Sequence, residues 1–295
     1  MQNNAYIGSH GECSVNPLVG HEANELPKDG NGRKAAVIGA GPAGLCAAEL
    51  LSDRGFDVTL YEKNNKVGGQ INLAAAPPEK AKTDWFTQDA LAACQSKGVK
   101  IIAGKEATPT DIKELAPEVV ILATGSTPVK PKFAGKCTGE IYTFEDILSG
   151  KVELGGKNVA VIGSGMTGLE TAHYLTEKGN KVTVVEMAKK LAPGTWMQHV
   201  DDIMPKLEKA GTVFMTGEKL SEINDGYIVT ENVKTEEFTR VNVDHVVLAL
   251  GSRPVNFLEQ ELKRDGFKVL VVGDSKKVGR IADATKSAYE AVKSI

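Results

Sequence analysis

No two of the four cysteines, Cys13, Cys46, Cys94 and Cys137, form a C-x-x-C pair. Their spacing argues against a disulfide framework and for a reducing compartment. No apolar run approaches the length needed to span a bilayer. The opening MQNNAYIGSHGECS has neither a basic n-region nor an apolar h-region, so it does not read as a secretory signal. The expectation from these absences is a soluble cytoplasmic protein. A dominant charge is missing too: 35 Lys and Arg against 38 Asp and Glu leave a formal net charge of −3. That balance gives no electrostatic reason to expect nucleic acid or an anionic membrane as a partner. With 41% hydrophobic and 25% charged residues, the composition is that of an ordinary globular protein. The 295 residues suffice for one large core or two ordinary ones.

What is present is a pattern written twice. KAAVIGAG, PAGLCAAELLSDRG and DVTLYE read as strand, helix and strand, with Pro42 in the first helical turn and Gly55 just past the end. KNVAVIGSG, MTGLETAHYLTEKG and KVTVVE repeat the cycle. Between them the spacing predicts a helix over 79–97, with apolar Trp85, Phe86, Ala90, Leu91 and Ala93, then strands at VKII and EVVILATG. After the second cycle come a helix at HVDDIMPKLEKAG and strands through TVFMTG, the turn-bearing KLSEINDGYIVTE, EFTRVNV and DHVVLALG. NFLEQELKRDG, KVLVVGD and IADATKSAYEAVKS close the chain as helix, strand and helix. Fingerprints 124 residues apart are too distant for a solenoid repeat, so two dinucleotide-binding domains of α/β class are expected. Residues 1–33 show no sustained period and read as an extended arm ending in a flexible KDGNGR.

Each fingerprint has the G-x-G-x-x-G form: Gly39, Gly41 and Gly44, then Gly163, Gly165 and Gly168. The first glycine allows the tight strand-to-helix turn, the second lets a pyrophosphate approach the backbone, and the third lets helix and strand pack closely. The helix N-terminus offers unpaired N–H groups and a positive dipole to phosphate oxygens. Glu62 and Glu186 each fall 23 residues after the first glycine, at the end of the next strand, placed to bind an adenosine ribose. VGGQI offers bare backbone at Gly69 beside Gln70, which reads equally as a ligand approach or a plain turn. Asp274 in VVGD, taken alone, reads better as a turn aspartate than as a hydroxyl ligand.

GAGPAG, Glu62, GGQ, ILATGS, GSGMTG, Glu186, LALGSRP and VVGD, in this order, resemble the flavoproteins with two dinucleotide-binding domains. Thioredoxin, lipoamide, glutathione and ferredoxin reductases belong to that group. The resemblance implies two Rossmann-like, three-layer domains: a discontinuous FAD domain at 34–150 and 252–295, with an NAD(P)H domain at 151–251 inserted. It implies that Gly39, Ala40, Gly41, Pro42, Ala43, Gly44, Glu62 and Lys63 hold the ADP half of FAD. Gly69 and Gln70 would lie toward the flavin, Thr124 and Gly125 at the interdomain crossing, and Gly273 and Asp274 on the flavin's linker. Ile281 would open a helix whose positive end faces the isoalloxazine. Gly163, Ser164, Gly165, Met166, Thr167, Gly168, Glu186 and Gly251 would hold the nicotinamide nucleotide. Glu170 reads either as a contact to the nicotinamide end or as a surface glutamate pairing near Lys178. Glu186 favours NADH over NADPH, since a carboxylate about 4 Å from a phosphate charge costs roughly 4 kcal/mol at moderate dielectric. Lys189 and Lys190 work the other way.

ECSVNPLVGHE and GGQINLAAAPP resemble a narrower branch, the C-terminal half of 2-enoate reductase, 2,4-dienoyl-CoA reductase and trimethylamine or histamine dehydrogenase. There an FMN-bearing TIM barrel precedes the two-nucleotide half, with a four-cysteine [4Fe–4S] cluster at the junction. Cys13 matches the last of those cysteines; the other three and the barrel have no counterpart in these 295 residues. Cys13 then either joins a cluster whose other ligands lie on another chain or is a relic, and His10 and His21 beside it read as solvated polar residues. Cys46 and Cys94 read as core, and Cys137 stands alone where thioredoxin reductase carries its pair. The resemblance implies an FAD-dependent NAD(P)H oxidoreductase, the electron-input half of a system with a separate FMN/iron–sulfur partner. A free-standing NADH diaphorase or quinone-type reductase, and a non-catalytic nucleotide-binding subunit, are the alternatives.

Overall fold

Runs such as Ala35-Ala36-Val37-Ile38 are apolar on both faces, which suits a parallel strand covered on both sides. A computed structural model describes residues 11, 13–20, 22–23 and 25–295, so His10 and His21 lie outside the described residues. The chain divides into two compact units. Strands are β1 (Lys34–Ile38), β2 (Asp57–Glu62), β3 (Lys100–Ala103), β4 (Val119–Leu122), β5 (Ser126–Pro128), β6 (Tyr142–Thr143), β7 (Asn158–Ile162) and β8 (Lys181–Glu186). They continue as β9 (Val213–Thr216), β10 (Glu218–Asn224), β11 (Tyr227–Asn232), β12 (Phe238–Asn242), β13 (His245–Leu248), β14 (Ser252–Pro254) and β15 (Lys268–Val271).

Unit one comprises the chain up to Asn72, Lys82–Thr127 and Arg253–Ile295. Its sheet runs β15-β4-β1-β2-β3, all parallel. Alternate residues of β1 serve different cores. Ala35 and Val37 pack with Leu45 and Leu51 of the Pro42–Asp53 helix, while Ala36 and Ile38 pack with Ile112, Leu258 and Leu262 on the other face. Each fully buried Leu or Ile there contributes about 1.5–3 kcal/mol of transfer free energy. The arm has neither helix nor strand among its described residues, yet Leu18 and Leu26 pack on this core.

The expected flexible end at KDGNGR is corrected by the structure. Arg54 is buried, and its guanidinium donates to both oxygens of Asp29 at 2.7–2.8 Å. Gly30 N–H donates to Arg54 O at 2.7 Å, and Gly32 N–H to Gly55 O at 2.8 Å. A buried cation demands such partners, so the segment is tied down.

Unit two comprises Leu73–Ala81 and Pro128–Ser252. Its sheet runs β6-β13-β7-β8-β9, again parallel. One face carries Leu169 and Leu175 of the Met166–Glu177 helix together with Ile203 and Leu207 of the Met197–Lys209 helix. The other face is covered by Leu220, Ile223 and Ile228 from the antiparallel sheet β10-β11-β12, which has a bulge between Leu220 and Glu222.

Three expectations shift. The first domain ends at Thr127 rather than 150, because β6 pairs with β13 (Tyr142 against Val247) and so joins the second sheet. The helix expected over 79–97 begins at Trp85, after a 3₁₀ turn at Ala81–Asp84, and Trp85 itself is 57% exposed. Glu79 has φ 64°, a left-handed conformation that no helix accommodates. Two short helices, Pro109–Leu115 and Phe144–Leu148, add to the expected set. No helix among the described residues is long and apolar enough to cross a membrane.

Candidate functional site

In unit one, β1 runs into Gly39 at φ 103°, a turn that L side chains resist. A Cβ on Gly44 would lie 1.8 Å from Gly39 O, so helix and strand touch through backbone alone. Glu62, at the end of β2, is buried. Its Oε2 accepts Ala40 N–H at 2.8 Å, while Oε1 accepts Asn64 N–H at 2.9 Å and Asn64 Nδ2 at 3.0 Å.

Unit two repeats this geometry. Gly163 has φ 101°, and a Cβ on Gly168 would lie 2.1 Å from Gly163 O. Glu186 Oε2 accepts Ser164 N–H at 2.8 Å, and Oε1 accepts Ala188 N–H at 2.8 Å. The third donor differs: it is Ser164 Oγ, 2.7 Å from Oε2. A carboxylate has about four acceptor positions, so three donors leave one position over on each glutamate.

No side chain caps the Pro42–Asp53 or the Met166–Glu177 helix. No capping side chain therefore takes the first-turn N–H groups, those of Ala43 and Gly44 in one helix (Pro42 has none) and of Met166, Thr167 and Gly168 in the other, as suits a pyrophosphate site. Gly165 faces open space: a Cβ there would meet nothing within 4 Å. Gly41 is closer to a neighbour, since a Cβ on Gly69 would lie 3.0 Å from Gly41 Cα. These cradles fit the phosphates of a dinucleotide. Ala40 and Ser164, expected among the cofactor contacts, are fully buried and give their N–H groups to the glutamates.

The structure also gathers residues that are far apart in sequence. Within unit one, Gln70 Nε2 donates to Ser126 Oγ at 2.6 Å, and Ser126 Oγ lies 3.0 Å from Asp274 Oδ2. Asp274 Oδ1 accepts Gly279 N–H at 3.0 Å, in the 3₁₀ turn opened by buried Gly273. Thr124 Oγ1 donates to Val255 O, and Gly125 O accepts Val255 N–H at 3.0 Å. Lys63 is exposed, as is Gly251 in unit two. Ile281 opens the last helix, where Asp283 accepts Arg280 N–H at 2.8 Å and Thr285 Oγ1 lies 3.1 Å from Ser14 O of the arm.

Glu170 is no surface residue. It is 5% exposed, ion-pairs with Lys80, and has His199 Nε2 at 3.2 Å, out of line for a hydrogen bond. Burial pushes its carboxyl up, but His199 and the Lys80 charge outweigh burial and hold it below the usual range. Neither partner carries a sequence signal, because Lys80 and His199 lie 90 residues before and 29 after Glu170 and share no motif. Ser126 was likewise not legible.

All four cysteines are free thiols. Burial pushes Cys46 and Cys94 up to about 12, with the Glu49 charge adding to it, as suits core residues. Cys137 Sγ lies 3.5 Å from Gly139 O, and Cys13 Sγ accepts Asn16 N–H at 3.4 Å. Among the described residues no group of three or more His, Cys, Asp or Glu is placed to hold a metal.

The chain is 40% identical to an NADH oxidase of Thermoanaerobacter brockii, over 94% of this chain and 44% of that protein. It is 32% identical to a bilirubin reductase of Mediterraneibacter gnavus (strain CC55_001C), over 98% of this chain and 44% of that one. Among solved structures, a 2-naphthoyl-CoA reductase complex superposes with TM-score 0.92 at 29% identity, over 99% of this chain and 44% of that one. The chain thus spans less than half the length of these relatives. The model of the pyridine nucleotide-disulphide oxidoreductases matches residues 33–277, and with two glycine cradles each closed by a buried glutamate, the chain belongs to that family.

Proposed function

We propose that this chain is an FAD-dependent NADH:acceptor oxidoreductase, the electron-input half of an enoate-reductase-like system, with FAD in unit one and NADH in unit two. The observation that carries the proposal is the pair of cradles: two glycine turns, two uncapped helix N-termini and two glutamates with one acceptor position each to offer. When bound, FAD supplies a hydride acceptor that releases electrons singly, which is the exchange an input half needs. This chain's residues bind and orient. Glu62 takes a ribose hydroxyl in unit one, and Gln70, Ser126 and Asp274 form a polar row for the flavin's linker. Glu186 does the same for the nicotinamide nucleotide, and its charge disfavours a 2′-phosphate, hence NADH. Glu170, kept ionised by Lys80 and His199, offers a fixed negative charge toward the nicotinamide end.

Positioning rather than acid or base chemistry dominates such a transfer, so no catalytic triad is expected. Four free thiols support a cytoplasmic setting. Cys13 fits as a single cluster ligand: its sulfur is partly accessible and already accepts one N–H. The partner we propose is an FMN/iron–sulfur barrel protein that supplies the remaining three cysteines.

The test is anaerobic titration of the FAD-reconstituted chain with NADH, followed by the flavin's visible absorption. Bleaching by stoichiometric NADH, and by NADPH only in excess, is expected. Flavin that stays oxidised in excess NADH points to a non-catalytic nucleotide-binding subunit instead. Turnover with a dye is common to both enzyme readings; copurification of a barrel protein carrying iron and sulfide separates the input half from a free-standing diaphorase.

A further inference from the structure

The fingerprint's second residue, Ser164, is fully buried, so its hydroxyl has no direct path to a ligand. That hydroxyl is nevertheless committed at both ends. It accepts Ala192 N–H at 3.1 Å, and it lies 2.7 Å from Glu186 Oε2, an acceptor when ionised. With the amide as donor on one side, the hydroxyl proton goes to the carboxylate. The same Oε2 also takes Ser164 N–H. Both acceptor positions on Oε2 are therefore filled, and the free position is on Oε1, beside Ala188 N–H. In unit one the arrangement is reversed: Asn64 fills Oε1 of Glu62, and the free position is on Oε2, beside Ala40.

Ser164 does a second thing. Through Ala192 it fastens the loop between Glu186 and Ala192, whose near end is fixed by Gly217 N–H on Ala188 O at 2.9 Å. Lys189 and Lys190 are exposed on that loop. As exposed cations on that loop, they would serve a 2′-phosphate if the loop moved toward it.

We propose that Ser164 is a positioning residue for nucleotide choice: it holds Glu186 in one rotamer and restrains the Lys189–Lys190 loop, so the site accepts a ribose 2′-hydroxyl and rejects a 2′-phosphate. This rests on the reading that unit two holds the nicotinamide nucleotide. Charge-assisted hydrogen bonds of this kind are worth more than neutral ones, and the pair acts through one carboxylate.

The experiment is calorimetric binding of ADP-ribose and of its 2′-phosphate ester to the FAD-loaded chain, so that unit one is already filled. In the wild-type chain ADP-ribose binds more tightly. Ser164→Ala is expected to narrow that preference by roughly tenfold, the equivalent of one charge-assisted hydrogen bond. Ser164→Thr, which keeps the hydroxyl, retains it. In a Glu186→Gln background Ser164→Ala changes the preference by less than about twofold, since its effect runs through the carboxylate. An unchanged preference in folded Ser164→Ala overturns the proposal. So does an equal loss in the Glu186→Gln background, which marks a merely structural role. Should Ser164→Ala not fold, Ser164→Thr with the wild-type preference lost overturns it. A wild-type chain that binds neither probe sinks the assignment of unit two itself, a different failure from the other three.

Discussion

The two cradles share their turn and glutamate geometry, and differ in the third donor to the glutamate, in what stands against the second glycine, and in the first helical residue, where Pro42 has no N–H and Met166 has one. Each has a left-handed first glycine, a third glycine whose Cβ would strike the first glycine's carbonyl, and a buried glutamate bonded to the fingerprint amide and to the amide two residues on. The third donor is Asn64, outside the fingerprint, in one and Ser164, inside it, in the other. Gly41 has Gly69 against it, whereas Gly165 faces open space. The lesson is that the same backbone turn and buried glutamate recur with different neighbours, which leave one cradle crowded and the other open. A crowded cradle suits a resident cofactor, and an open one suits a nucleotide that comes and goes.

The comparison breaks most violently at the third glycines. Gly44→Ala and Gly168→Ala each place a methyl within about van der Waals overlap of a carbonyl that cannot move, costing more than about 3 kcal/mol. Thermal unfolding followed by flavin retention should show Gly44→Ala losing flavin. Gly168→Ala should lose NADH binding while flavin stays.

Next come the glutamates. Glu62→Ala leaves three donors without an acceptor in unit one and is expected to weaken FAD by roughly 10–100-fold, about 1.5–3 kcal/mol. Glu186→Ala should weaken NADH to a similar degree with FAD unaffected. Equilibrium dialysis against each nucleotide checks whether the losses separate; equal losses of both nucleotides in either variant contradict the two-site assignment.

A smaller, pH-dependent effect belongs to Glu170, which has no counterpart in unit one. Its folded pKa is depressed, so the folded state releases that proton more readily than the unfolded chain does. The resulting stability is present above the unfolded value near 4.5 and is lost as pH falls through the lower folded value. Urea unfolding of wild type and Glu170→Gln, followed from neutral pH down past the unfolded value near 4.5 to about pH 2.5, should converge at the acid end. Divergence there shows that another group carries the acid sensitivity.

The mildest test distinguishes the thiols. At neutral pH iodoacetamide should label Cys13 and Cys137 in the native chain, and Cys46 and Cys94 only on unfolding, since burial holds the last two up at about 12. Mass spectrometry of the labelled peptides decides it.

Some of the structure was close to the surface of the text. Both strand–glycine–helix–strand–glutamate cycles stand where the spacing put them, because each is a local unit whose period and punctuation sit within 25 or so residues. Two short helices, Pro109–Leu115 and Phe144–Leu148, are announced only by capping boxes, Thr108 with Asp111 and Thr143 with Asp146. At seven and five residues they are too short for a hydrophobic period to register. Cys46 was legible as core from its place on a buried helix face, and Cys94, near a helix end, only by default; both are buried. The binding of KDGNGR to Arg54 was not legible, because a glycine-rich segment carries the same signature whether tied or loose.

By itself the sequence determined two nucleotide cradles, their order, and an acidic residue at the end of each second strand, all consequences of backbone sterics and short-range periodicity. Only the tertiary structure decided which donors lock each glutamate, that Lys80 and His199 close on Glu170, and that Gln70, Ser126 and Asp274 share a row. It also moved the first boundary to Thr127. The donors on each glutamate lie 2 or 22 positions from it, but the other pairings join residues from 29 (Glu170 and His199) to 204 (Gln70 and Asp274) positions apart. Loop closure over such distances is decided by packing of the whole domain, on which no local pattern bears.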